Sequence, residues 1–97
     1  MQETIRILMT DDHPIIIEGY QNTLLATKKE SQDLIIDIAN NCDQSVDLMN
    51  KSIEDEKEYN ILFMDISLPP SADGAITSGE DLSKHARTIL PNAKIII

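Results

Sequence analysis

The sequence predicts an α/β fold, a doubly wound and mostly parallel sheet whose strands alternate with helices. Two observations carry this prediction. Short aliphatic runs recur along the chain, separated by stretches in which apolar residues return at helical spacing. Two of these runs also end on acid: Ile5 to Met9 leads through Thr10 to Asp11-Asp12, and Ile61-Leu62-Phe63-Met64 leads directly to Asp65. In open α/β sheets, ligand-binding groups gather in the crevice at the carboxyl ends of the strands. Acids at two such exits converge on one site if both strands are parallel and central.

Taken in order, Ile5-Arg6-Ile7-Leu8-Met9 reads as the first strand. Pro14 suits the first turn of a helix, where its missing N–H has no partner to lose. Ile16, Tyr20 and Leu24 follow at helical spacing, with Ile17 and Leu25 beside them. Asp33 to Ala39, rich in Leu and Ile, is the second strand. The second helix runs from Gln44 toward Lys57, with Val46, Met49 and Ile53 on one face and Asp43 as its expected N-cap. Its acidic end, Glu54-Asp55-Glu56-Lys57-Glu58, sits poorly against the negative end of the helix dipole and is expected to fray. Asn60 to Met64 is the third strand. Pro69-Pro70 blocks a helix, and Gly74 and Gly79 punctuate a long loop. Glu80 to Leu90 is the third helix, with Leu82, Ala86 and Ile89 on one face, and Pro91-Asn92 ends it. Lys94-Ile95-Ile96-Ile97 opens a fourth strand that is expected to be buried.

The 97 residues suffice for one domain, and the 41% apolar share is enough for an aliphatic core, with one Phe and no Trp. A net charge of −9 argues against this segment gripping nucleic acid, which calls for a basic patch. Cys42 is the only cysteine, so no internal disulfide can form, and it is expected to be a small loop or strand-end residue. No apolar run approaches the roughly 20 residues of a membrane span, and Met1 begins no signal-peptide pattern. A soluble cytoplasmic protein with no membrane partner is the expectation. The final apolar run has neither turn nor helix after it, so the chain is expected to be the N-terminal portion, residues 1–97, of a longer domain.

The three acids suit a small hard cation such as Mg²⁺ and the phosphoryl chemistry it supports. At the bend after the first strand, one acid of the Asp11-Asp12 pair can ligate directly while the other holds a metal-bound water. Asp65 can supply another oxygen, and the backbone carbonyl of Ser67 can complete the protein's share of an octahedral shell. Asp65 can equally be a nucleophile toward phosphorus, forming an aspartyl phosphate. Spacing alone does not choose between ligand and nucleophile. The blander alternative is that each acid caps a helix or solvates a strand end.

Here a resemblance becomes specific. Leu8-Met9-Thr10-Asp11-Asp12-His13-Pro14, followed by Glu18-Gly19, resembles the start of a two-component response-regulator receiver domain. It is most similar to the branch that carries a C-terminal LuxR-type helix-turn-helix. Leu62 to Pro69 resembles the phosphoacceptor strand and its turn, and Gly79-Glu80-Asp81-Leu82 resembles the opening of the third helix. The resemblance implies a flavodoxin-like receiver fold, an incomplete (βα)5 unit with strand order 2-1-3 and the fourth strand beside the third. It implies Asp65 as phosphoryl acceptor, Asp12 as direct Mg²⁺ ligand, Asp11 as a ligand through water and Ser67 through its main-chain carbonyl. The implied partners are a sensor histidine kinase or phosphotransfer protein and, on phosphorylation, a second copy in a homodimer. DNA would be met only by a separate C-terminal domain, giving a transcriptional output. The switch Thr or Ser, the aromatic and the Lys of that family would all lie past Ile97.

One departure stands out: Asp65 to Gly79 is longer than the family's usual spacing, with the extra residues in Pro70 to Ser78. That loop is expected either to be a tolerated surface insertion or to modify events at Asp65. His13 is expected to pack or hydrogen-bond at the start of the first helix rather than to act as an acid or base, and His85 to lie on the surface. Two rival functions stay open. A haloacid-dehalogenase-type Mg²⁺-dependent phosphohydrolase would want a second acid two residues past its nucleophile, where this chain has Ser67 after Asp65 and His13 after Asp11. A receiver-like interaction domain independent of phosphorylation would have no use for the three acids. The leading reading is therefore not a turnover enzyme but a phosphoacceptor that takes part in its own phosphorylation and dephosphorylation.

Overall fold

Alternation of apolar side chains across the strands gives the sheet two buried faces, and a computed structural model describing residues 3–97 shows how each is covered. Four strands, β1 (Glu3–Thr10), β2 (Gln32–Ala39), β3 (Ile61–Met64) and β4 (Lys94–Ile96), alternate with α1 (Pro14–Thr27), α2 (Cys42–Glu54) and α3 (Gly79–Ile89). The strands are all parallel in the order β2-β1-β3-β4, as expected. Parallel pairing forces each connection to cross the sheet, and the helices do so.

Successive residues of a strand point to opposite faces. Leu8 and Thr10 of β1, with Leu62 and Met64 of β3, face α2 and α3; there they meet Met49, Leu82, Ala86 and Leu90 in the main core. Ile7 and Met9 face α1, where only Ile17 is fully buried and Leu24 and Phe63 are partly so. This corrects the expected inner face of α1. Ile16, Tyr20 and Leu25 are about half exposed, and the helix leans on the sheet through Ile17 and Leu24. One helix thus covers a face four strands wide. β4 is likewise an edge strand rather than a buried one, with Ile96 and Ile97 exposed.

Two helix ends differ from expectation for local reasons. α2 begins at Cys42 because Asn41, not Asp43, is the N-cap: its Oδ1 accepts from the N–H of Gln44 at 2.8 Å. Asp43 instead accepts from the N–H of Ala72 at 3.0 Å, reaching across to the long loop. At the other end α2 stops at Glu54 without a frayed extension. Glu56 takes a left-handed conformation (φ 56°), and Lys57 N–H and Glu56 N–H donate to Ser52 O and Ile53 O. These are the two bonds of a Schellman stop, made here with a glutamate where glycine is usual.

The long loop is ordered by its own bonds. Ser71 exchanges backbone and hydroxyl bonds with Ile76, the Asp73 carboxylate accepts from Ser71 Oγ and Ala75 N–H, and Gly74 (φ 73°) makes the turn. Asp81 of α3 accepts from both the N–H and the hydroxyl of Thr77. The loop is therefore clasped by α2 through Asp43 and by α3 through Asp81. These bonds hold the Asp73 and Asp81 carboxyls below their usual pKa.

Candidate functional site

β1 and β3 are neighbours at the centre of the sheet, and Thr10 is paired with Met64 at their carboxyl ends. The next residue of each chain is an acid. Both continue the ladder by one bond: Asp65 N–H donates to Thr10 O and Asp11 N–H to Ala39 O, each at 3.0 Å. Register alone therefore sets Asp11 and Asp65 side by side. Beneath them the Thr10 hydroxyl, fully buried, donates to Ser45 Oγ of α2 at 2.8 Å. That bond locks α2 to the strand end carrying the acids.

Past Asp11 the chain turns into α1. The Asp11 carboxylate accepts from the N–H of His13 at 2.9 Å, which folds the turn back over the site. His13 Nδ1 then lies 2.7 Å from Asp11 Oδ1, 3.0 Å from Asp12 Oδ1 and 3.5 Å from Asp65 Oδ2. The hydrogen bond to Asp11, followed by the charge of Asp12, raises the imidazole's pKa. The side chains of Asp11 and Asp65 are 15% and 17% exposed, and that of Asp12 is 40% exposed. The expected hydrogen-bonding role of His13 at the helix start is found, with its ring placed among the three acids.

On the other side, Asp65 Oδ1 accepts from the N–H of Ser67 at 3.0 Å, so the backbone after the strand curls over the carboxylate. The close approach of α3 holds this curl. Gly79 N–H bonds Ile66 O at 3.3 Å, and a Cβ on Gly79 would stand 1.8 Å from Asp65 O. Gly79 thus opens the third helix directly against the carboxyl end of β3. Patterning alone signals a helix start there but not the backbone contact.

Asp11, Asp12, His13 and Asp65 each offer a ligand atom within 4.8 Å of the others. Three carboxylates and a ring nitrogen at this separation fit a small divalent cation. An apolar groove of about 290 Å³ opens beside the acids, walled by Ile16, Tyr20, Phe63, Ile66 and Ile96. The rings of Tyr20 and Phe63 stack across it at 6.0 Å.

Other residues singled out from the sequence fall elsewhere. Cys42 is buried, its Sγ 3.4 Å from Pro69 O, and burial, then the charge of Asp43, raises its thiol pKa. Its enclosure disfavours a reactive thiolate, but Cys42 is the first residue of α2 rather than the loop or strand-end residue expected. His85 is not a simple surface residue: it is half-buried, and its Nε2 is shut from solvent with no hydrogen-bond partner among the described residues. No helix among the described residues is long and apolar enough to cross a membrane.

No family model and no curated protein matches the chain. Solved structures do. A structure of the Salmonella typhimurium RcsB response regulator matches 95% of this chain with a TM-score of 0.73 at 21% identity. RcsB from Salmonella enterica serovar Typhimurium, bound to promoter rprA with the phosphomimetic BeF3⁻, matches 94% at TM-score 0.71 and 20% identity. A structure of two RcsB dimers bound to two parallel DNAs matches 96% at TM-score 0.68 and 20% identity. The chain spans 41%, 65% and 43% of those three chains, respectively. By topology, register and this likeness, the chain has the receiver fold of response regulators, through its fourth strand.

Proposed function

We propose that this chain is the N-terminal portion of a response-regulator receiver domain, taking a phosphoryl group on Asp65 to control a downstream output. The observation that carries the reading is the convergence of Asp11, Asp12 and Asp65 at the carboxyl ends of adjacent central strands. A bound Mg²⁺ would neutralise the charge that carboxylate and phosphoryl oxygens bring together. Asp12, Asp65 and the Ser67 carbonyl would hold it directly, and Asp11 through a water.

The chain's own part is positioning. A carboxylate oxygen of Asp65 attacks phosphorus, the P–N bond of a phosphohistidine breaks, and the departing imidazole carries away the electron pair and takes a proton. Ser67 N–H fixes the rotamer of the attacking carboxylate through Oδ1. That leaves Oδ2, the oxygen on the His13 side, turned toward the other acids. The phosphoryl donor would be a sensor histidine kinase or phosphotransfer protein.

Transcription is the output we favour. The RcsB structures that share this fold are described with DNA, and the chain spans only part of their length. A separate basic domain would then read DNA, since the charge of −9 here repels it. The test is incubation with phosphoramidate and Mg²⁺, followed by intact mass and borohydride trapping. In the complete protein one phosphoryl group should appear on Asp65 and vanish in Asp65→Asn, which should largely preserve the fold. Label on another residue with Asp65 unmodified would defeat the reading.

A further inference from the structure

We propose that the cavity under the carboxyl end of α2 binds a small organic phosphate, a phosphate monoester with an apolar body, through Arg6, Lys51 and Lys57. Arg6 is the informative residue. The even positions of β1 face α2 and α3, and Leu8 and Thr10 fill that face with buried side chains. Arg6 is next in the same row, half-buried on a central parallel strand where an apolar side chain is the rule. Taking a charge out of water is costly unless it is paired. The Arg6 backbone N–H donates to Asn60 Oδ1 at 2.8 Å, but its guanidinium makes no ion pair or hydrogen bond among the described residues.

Arg6 lines a cavity of about 320 Å³ between β2 and the last turns of α2, together with Lys51 and Lys57. Three of the chain's eight Lys and Arg thus meet at one place in a protein of net charge −9. The two acids of the cavity, Asp37 and Asp55, form no ion pair with them, and Asp37 Oδ2 is committed to the Tyr59 hydroxyl at 2.6 Å. The helix-end carbonyls that would repel an anion are occupied: the N–H groups of Asp55, Glu56 and Lys57 donate to Lys51 O, Ile53 O and Ser52 O. A planar guanidinium grips two oxygens of one phosphate, and ammonium groups add point charges beside the third. Ile35 and Leu48 supply an apolar wall for the rest of the molecule. The volume is at the small end of ligand pockets, which suits a compact phosphate monoester.

The experiment uses the complete protein in EDTA, so that no divalent ion draws phosphate to the acids at the strand ends. Phenyl phosphate is the probe and benzoate the comparison anion. Titration should show phenyl phosphate binding with benzoate roughly tenfold weaker, and amide shifts centred on Ser52, Lys57 and Tyr59. Losing its charged hydrogen bonds, Arg6→Gln should bind phenyl phosphate about 10–100-fold more weakly. Arg6→Lys, which keeps the charge without the fork, should recover only part of that loss. Lys51→Gln combined with Lys57→Gln alters two exposed side chains, so it carries the test if Arg6→Gln fails to fold; it should weaken binding about tenfold or more. Unchanged affinity in the folded variants, benzoate binding as tightly as phenyl phosphate, or shifts centred on Asp11 and Asp65 would overturn the assignment. So would a wild-type protein that binds no phenyl phosphate.

Discussion

Replacing Gly79 by alanine should damage the candidate site far more than it damages the fold. The new Cβ would stand 1.8 Å from Asp65 O, 2.7 Å from Asp65 C and 2.8 Å from Ile66 Cα. All three are backbone atoms, so no flexible side chain can swing aside. Either the first turn of α3 or the Asp65-Ile66 segment must retreat by more than an ångström to reach a tolerable contact. Overpacking of this kind costs about 1–3 kcal/mol. Alanine's better helix propensity returns at most about 1 kcal/mol, and less in a first turn than in a helix interior. Net destabilisation of roughly 1–2 kcal/mol is expected in a urea titration. The chemistry is more sensitive, because a displacement near 1 Å can lower a reaction rate about 100-fold. Phosphorylation of Gly79→Ala by phosphoramidate, followed by intact mass against time, should therefore be slowed by about that factor at temperatures where the variant is still folded. A variant phosphorylated at the wild-type rate would refute the claim that α3 sets the position of Asp65.

Three further outcomes follow from other parts of the same framework. Asp12→Asn should weaken Mg²⁺ binding more than Asp11→Asn, because Asp12 is assigned a direct bond and Asp11 a water; isothermal titration giving the reverse order would exchange their roles. Ser45→Ala should cost about 1–3 kcal/mol by stranding the buried Thr10 hydroxyl, and adding Thr10→Val should recover part of that loss; strictly additive losses in urea unfolding would show that the bond contributes nothing. Tyr59 donates to Asp37 Oδ2 at 2.6 Å, and burial, then that bond, raises the phenol's pKa. Its folded value lies above its unfolded one, so its contribution is complete below about pH 10 and is lost as pH climbs from there through the folded value. Wild type should accordingly lose stability faster above about pH 10 than Tyr59→Phe, and equal slopes would contradict the assignment.

How far the residues themselves announced this arrangement depends on the range of each interaction. Strand positions were legible because Ile- and Leu-rich runs mark buried strands wherever they pair, and β1, β2 and β3 fall within two residues of the expected bounds. Asp11 and Asp65 were legible as one site because parallel pairing places strand ends at one level. The inner face of α1 was not. Ile16-Tyr20-Leu24 and Ile17-Leu24 are equally good helical stripes, and only the tilt of the helix on the sheet chooses between them. Asp43 was a reasonable cap by type, but Asn41 has the extended backbone and the reach to Gln44 N–H. The order in the long loop was hidden for a related reason: its clasps come from Asp43 and Asp81, on two different helices. The closeness of Gly79 to Asp65 is a tertiary contact with no local signature at all.

The same contacts explain how three acids can be held together. Like charges in a loop would part by moving the backbone, but here the backbone is committed elsewhere. Asp11 N–H and Asp65 N–H are bonded to Ala39 O and Thr10 O, both within the ladder, and breaking either would cost a sheet bond to relieve a side-chain repulsion. Below, Thr10 is tied to Ser45; above, Ser67 N–H and the first turn of α3 press on Asp65. The acids therefore cannot lower their energy by separating. Sharing a partner relieves the repulsion, and in this structure the His13 ring, a cation when protonated, stands beside all three carboxylates. A scaffold that resists separation favours binding of a cation, which is the preorganisation that the phosphoryl acceptance proposed for Asp65 would need.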